Sequence, residues 1–199
     1  QALVDGARIK SADASTLSIH GVNKPLWDHQ KQAVAFGTPL SGVLLDMYMA
    51  TGKTLTTISM VQTKGAKTVL VLAPKSVVPV WPKELKKHFE LPYRVLALDS
   101  GSSKQKADKI KKFQAEKFDG VKFIVLAYPT FWREPIFGLI KNWSDLAIAD
   151  EIHKIKAPGG KASMAASQIK AANKIGLSGT TMPNSPCDVY AQFRFLDTE

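Results

Sequence analysis

The sequence predicts an α/β fold, a mostly parallel sheet with helices on both faces. Three observations predict it. Short apolar runs rich in β-branched residues recur along the chain, each the length of a strand buried on both faces. Segments with helical spacing lie between them, the pattern of parallel strands joined by crossover helices. Residues suited to binding and chemistry gather just after several runs, where open α/β sheets hold their ligands.

The runs are Val43-Leu44-Leu45, Thr68-Val69-Leu70-Val71-Leu72, Val95-Leu96-Ala97-Leu98, Phe123-Ile124-Val125-Leu126 and Leu146-Ala147-Ile148-Ala149. A weaker one is Lys174-Ile175-Gly176-Leu177. Helical segments are expected over residues 53–64, 77–89, 103–118 and 161–172. In the third, Ala107, Ile110, Gln114 and Phe118 share a face, and the lysines at 104–117 read as a solvated one. Residues 1–24 are expected to form an irregular extension or small hairpin, and residues 25–199 one domain. Gly101-Ser102-Ser103 and Ala157-Pro158-Gly159-Gly160 read as turns, not linkers.

A chain of 199 residues suits one sizeable domain or a large fragment of something longer. Folding at this size removes roughly 70% of the unfolded surface from water, so a core needs neither disulfides nor metal. Lys and Arg number 27 against 17 Asp and Glu, a formal charge of +10. That excess favours polyanions; lysine-rich helix faces account for it equally well. Cys187 is the single cysteine, which excludes an internal disulfide framework, makes a zinc site unexpected and fits a reducing compartment. No apolar run reaches the ~20 residues of a membrane span. The start, QALVDGARIK, has no signal-peptide core and no initiator Met, so the chain is expected to be processed or cut from a longer protein.

The stretch DMYMATGKT, residues 46–54, lies between the first run and a helical segment. Strand, tight loop and helix together aim backbone N–H groups at an anion. Thr51 and Gly52 would supply loop backbone, Lys53 would reach the β- and γ-phosphates, and the Thr54 hydroxyl would sit on Mg²⁺. The full phosphate-loop pattern places its first glycine at position 47, which is Met47. Far downstream, Asp150-Glu151-Ile152-His153 follows a buried run. Asp150 fits the second carboxylate near Mg²⁺, and Glu151 a base polarising the attacking water. A solvated turn is the plainer alternative for the two acids.

The segment Asp150-Glu151-Ile152-His153-Lys154-Ile155-Lys156 resembles the D-E-x-H box of superfamily-two helicases. It is more similar still to the D-E-A-H-R-I-K-N version of the Swi/Snf-type double-stranded DNA translocases. Their phosphate loop commonly reads D-E-M-G-L-G-K-T, also without the early glycine. Ala50 stands where that loop has a glycine, and its methyl strains the backbone if φ > 0 is required there. Leu26-Trp27-Asp28-His29-Gln30 is similar to the Q motif, so Gln30 inherits the reading of the adenine edge; without the resemblance it reads as a helix-surface amide. Ala73-Pro74-Lys75-Ser76-Val77-Val78-Pro79-Val80-Trp81, with Glu84, is similar to motif Ia, which touches the DNA backbone in the family. Lys75 and Ser76 are the candidates for that contact, and Trp81 reads as a helix–sheet core residue. Ala127-Tyr128-Pro129-Thr130-Phe131-Trp132-Arg133 resembles x-Y-E-x-L, with Pro129 in the acidic position. Leu177-Ser178-Gly179-Thr180-Thr181-Met182-Pro183-Asn184 resembles motif III, with Thr181 in the proline position. His153, Ser178 and Thr180 inherit the coupling of the nucleotide site to that motif. Asp188-Val189-Tyr190 and Phe193-Arg194-Phe195-Leu196-Asp197 look like the helix that closes the first lobe.

The resemblance implies the first RecA-like lobe of an ATP-dependent, helicase-like DNA translocase. It implies ATP and Mg²⁺ as cofactors and DNA as partner, double-stranded and held mainly by its backbone, with no membrane. In the family, ATP lies between two lobes, and the second supplies arginines worth ~10³–10⁵ in rate. The chain stops after the closing helix, so the second lobe is expected elsewhere in a parent chain and the fragment is expected to be nearly inactive. The alternative is a non-enzymatic nucleotide- or DNA-binding module with a degenerate ATPase site, marked by Ala50 and Thr181. Lys53, Thr54, Asp150 and Glu151 weigh against it. The expected location is intracellular, in the cytoplasm of a bacterial or virus-infected cell rather than a nucleus.

Overall fold

The computed structural model describes residues 22–48, 50–157, 159–179 and 188–197. Six strands form one sheet: β1 Gly42–Asp46, β2 Thr68–Ala73, β3 Tyr93–Leu98, β4 Val121–Ala127, β5 Leu146–Ala149 and β6 Asn173–Ser178. Their order across the sheet is β1-β6-β5-β2-β4-β3. Every pairing is parallel, so the expected mostly parallel sheet is wholly so among the described residues.

Alternation along the strands divides the core. Val69, Val71, Phe123, Val125, Ile148 and Ile175 face one layer, packed with helices α1 Asp28–Gly37, α2 Lys53–Thr63 and α3 Val80–His88. Leu70, Leu72, Ile124, Leu126, Ala147 and Ala149 face the other. That layer holds α4 Ser103–Ala115, α5 Tyr128–Phe131, α6 Ile136–Ile140, a 3₁₀ turn Ile152–Ile155, α7 Lys161–Ser167 and α8 Asp188–Leu196. Both faces of the central strands are thus covered, which is why their sequence is continuously apolar rather than alternating.

All four expected helices are shorter than their sequence pattern, α2 by a single residue. α3 begins only at Val80, because Val77 and Val78 donate to Pro74 O and make a turn first. α4 opens on a capping box between Ser102 and Gln105. It stops at Ala115 because Glu116 turns extended, its carboxylate held by Arg94 and its carbonyl by Lys122 Nζ at 2.7 Å. α7 ends at Ser167, where the side chains of Ser167 and Gln168 both bond back to Met164 O. The buried face of α4 is also corrected. Phe113 completes it beside Ala107 and Ile110, in place of Gln114 and Phe118, which are only partly buried. Lys106, expected on the solvated face, is buried, while Lys104, Lys111 and Lys112 are exposed.

The N-terminal hairpin expectation lies almost wholly outside the described residues. What is described is Val22 bridging antiparallel to Phe89, and Asn23 N donating to His88 O at 3.1 Å. No helix among the described residues is long and apolar enough to cross a membrane.

Candidate nucleotide site

The carboxyl ends of β1, β6 and β5 lie side by side, so the loops that follow them share one edge of the sheet. The loop after β1 stays tied to β6, with Met47 N donating to Ser178 O at 3.1 Å. It then turns through two left-handed residues, Ala50 at φ 62° and Gly52 at φ 83°. Gly52 suits this turn on two counts. Its backbone angle favours glycine, and a Cβ there would lie 2.2 Å from Gln30 Nε2. Ala50 has no such exemption, so the strain foreseen for its methyl is present.

Gly52 caps α2, whose first residues are Lys53 and Thr54. Lys53 Nζ donates to Met47 O at 3.0 Å and Tyr48 O at 3.2 Å, spanning the loop from inside. Thr51 Oγ1 closes the turn on Tyr48 O at 2.7 Å. From α1, Gln30 Nε2 donates to Thr51 O at 3.0 Å, and His29 Nε2 lies 3.2 Å from the same oxygen. Gln30 Oε1 meanwhile accepts from Trp27 N at 2.9 Å. Gln30 is therefore a buried residue that fastens the loop, not a helix-surface amide.

Asp150 follows β5 and is 7% exposed. Its Oδ2 accepts from Trp81 Nε1 at 2.9 Å, its backbone N donates to Leu72 O at 2.7 Å, and its backbone O accepts from Tyr128 Oη at 2.8 Å. Burial raises the Asp150 carboxyl above the ordinary carboxylate range; the Trp81 bond opposes this, Glu151 adds to it, and Lys53 opposes it again. Lys53 and Asp150 thus feel each other across β6.

Glu151 takes a left-handed backbone, φ 51° and ψ 54°. Its Oε2 lies 3.4 Å from His153 Nδ1, which in turn lies 3.5 Å from Ser178 Oγ at the end of β6. Burial holds the His153 imidazole below its ordinary range, against the pull of Glu151. A cavity of ≈ 420 Å³ opens beside the loop, lined among others by Trp27, Gln30, Gly52, Lys53, Thr54 and Glu84. Thr54 at a helix start and Asp150 at a strand end, one strand apart in the sheet, carry the oxygen types that a hard divalent cation takes. Among the described residues no cluster of three or more His, Cys, Asp or Glu forms a self-contained metal site.

Residues 20–199 match the family described as the SNF2-related domain. The chain belongs to that family. Similar proteins include Switch 2 of Arabidopsis thaliana, 27% identical over 88% of this chain and 22% of its own length. The RAD54-like DNA repair and recombination protein of Drosophila grimshawi is 25% identical over 95% of this chain and 27% of its own. A probable global transactivator of Orgyia pseudotsugata multicapsid polyhedrosis virus is 30% identical over 86% and 35%. This SNF2-related domain therefore spans about a quarter to a third of these relatives. The Sulfolobus solfataricus SWI2/SNF2 ATPase core in complex with dsDNA matches with a TM-score of 0.73 at 24% identity, over 92% of this chain and 38% of that one. That likeness shows the RecA-like fold.

Elsewhere on the SNF2-related domain, Lys75 and Ser76 are exposed in the turn after β2, one strand over from Asp150. The buried Lys106 has its pKa lowered chiefly by burial; Asp99 opposes this, and Lys75 and Arg133 add to it. Arg133 and Lys161 lie against the Trp132 ring at 5.3 and 5.4 Å. Thr180, with Thr181 and the rest of the motif-III stretch to Asn184, lies outside the described residues. Two groups around Asp150 carry roles that the sequence did not disclose. Trp81 is a core residue as expected, 1% exposed, yet it also holds the carboxylate. Tyr128 fixes the adjoining carbonyl. Only strand order brings them together, since β2 and then β4 follow β5 on the same side of the sheet.

Proposed function

We propose that this SNF2-related domain is the ATP-binding lobe of an ATP-dependent DNA translocase, working with a second RecA-like lobe of its parent chain. The observation that carries the reading is the juxtaposition of the Gly52-capped helix, bearing Lys53 and Thr54, with the buried Asp150 across a single strand. In this reading the loop N–H groups and Lys53 bind the triphosphate, and Thr54 and Asp150 hold Mg²⁺. Mg²⁺ neutralises charge on the phosphate oxygens when bound. Glu151 orients and polarises water, and His153 relays the state of that carboxylate to Ser178. Gln30 fastens the adenine side of the loop.

Lys75 and Ser76 grip the DNA backbone, which makes binding insensitive to sequence. The names of the relatives, among them a DNA repair and recombination protein and an excision repair protein like ERCC-6, support a DNA-acting, intracellular role. They lend no support to cytoplasm over nucleus. The strained Ala50 is the one observation favouring the non-enzymatic alternative.

Titration of Mg-ATP by calorimetry tests the reading. Wild type is expected to bind and Lys53→Ala to lose binding by about 10²-fold or more. Equal binding by the two would refute the role of the loop. Affinity for duplex DNA is expected to fall with log salt at roughly 0.9 per phosphate neutralised, and a flat response would remove the backbone contact.

A further inference from the structure

Asp150 is buried, and a buried carboxylate needs hydrogen-bond donors. The indole Nε1 of Trp81 donates to its Oδ2 at 2.9 Å, and the Glu151 backbone N–H adds a bond to the same carboxylate. Trp81 is the donor that comes from another element. It stands at the start of α3, in the apolar layer it shares with α2, the helix that begins with Lys53 and Thr54. A close-packed layer of this kind leaves its ring no room to swing away. The main chain of Asp150 is tied as well, N to Leu72 O at 2.7 Å and O to Tyr128 Oη at 2.8 Å. The carboxylate is therefore held from both ends, with Oδ2 already engaged. Any aromatic ring would fill the layer; the indole also brings an N–H.

Hard divalent cations differ in what they ask of such a group. Ca²⁺ has a large, flexible shell and accepts a carboxylate through both oxygens, whereas Mg²⁺ demands a near-octahedral shell, keeps several waters and takes few carboxylate oxygens. We infer that Trp81 is a metal-selecting residue: by holding Asp150 Oδ2 it leaves one carboxylate oxygen for the cation of a bound nucleotide, and so favours Mg²⁺ over Ca²⁺. The inference rests on the reading of Thr54 and Asp150 as the cation side of a nucleotide site. Trp81 touches neither cation nor nucleotide in this role; it is a positioning residue that acts through Asp150.

Calorimetric titrations of the 199-residue chain with ATP alone, Mg-ATP and Ca-ATP, in wild type and Trp81→Phe, test it. Phenylalanine keeps a ring in the layer and removes the N–H. Trp81→Phe is expected to weaken Mg-ATP by ~10-fold, to leave ATP alone unchanged and to weaken Ca-ATP less, so the preference for Mg²⁺ falls. An equal loss for all three ligands overturns the inference, since Trp81 would then act only by packing. An unchanged ratio of Mg-ATP to Ca-ATP affinity overturns it too, as does a wild type that binds both equally. The unaltered protein supplies a second readout that does not depend on the variant folding. The Trp81 indole N–H resonance is expected to stay protected from solvent exchange and to shift when Mg²⁺ is added to the ATP complex; a signal that does not move refutes the role. Wild type that binds no form of ATP overturns the nucleotide reading and this inference with it.

Discussion

Among the described residues, two non-glycine residues adopt the left-handed backbone, and they differ in what surrounds them. Ala50, φ 62°, sits in the loop after β1, in an exposed position. Glu151, φ 51°, follows β5 directly behind Asp150, whose backbone and carboxylate are bonded by Leu72, Tyr128 and Trp81. At Glu151 the preceding residue is bonded on three sides, and the Glu151 side chain reaches His153. At Ala50 the side chain is a methyl with no bond to make. Strain is retained at functional sites where surrounding structure enforces it. At the β5 end the strained residue itself makes a contact; in the β1 loop Thr51 and Lys53 make the contacts around Ala50, and its methyl makes none.

The largest expected effect concerns the rigid end. Burial raises the Asp150 pKa in the folded state, so the folded chain holds that proton to higher pH than the unfolded one. The stability linked to Asp150 is full below the unfolded value of ~3.9 and is lost as pH rises through the folded value. Asp150→Asn keeps an acceptor for Trp81 and removes the buried charge. It is expected to raise stability by about 1 kcal/mol at neutral pH, with the gain vanishing towards about pH 4, and to weaken Mg-ATP by about tenfold or more. Melting temperatures across pH, with one calorimetric titration, check both halves. A variant less stable than wild type at pH 7 would mean the charge is well compensated.

Next comes Glu151→Gly. Relief of the left-handed backbone is worth about 1 kcal/mol, and loss of the carboxylate removes the partner of His153. Denaturant unfolding should show the gain, and any residual ATPase rate should fall. If stability drops instead, the carboxylate's own contacts outweigh the strain. The smallest effect is expected for Ala50→Gly. Its gain in stability is at most about 1 kcal/mol, offset in part by the greater entropy of an unfolded glycine, and Mg-ATP affinity should rise modestly. Equal affinities would show that the loop tolerates its alanine, and a larger gain than at Glu151 would reverse the comparison.

Glu151 also marks where the sequence stops being readable. Strands were legible because burial on both faces writes itself as unbroken apolar runs, as in Thr68–Ala73 and Val121–Ala127. Helix ends were less so. Glu116 leaves α4 because Arg94 and Lys122, brought in by neighbouring strands, claim its polar groups. The loop and the two carboxylates were legible as chemistry, since few arrangements use those residue types in that order. The left-handed turn at Glu151 and the Trp81–Asp150 bond were not, because they depend on β2 and β5 being neighbours.

The place of β6 between β1 and β5 has one more consequence. The phosphate loop and the carboxylates stand two ladder spacings apart, ~10 Å, because one strand intervenes. That reach is counted in whole strands, like rungs, and no side chain sets it. Substitution can change what either end does, but only a rearrangement of the sheet can change the length of the ruler between them.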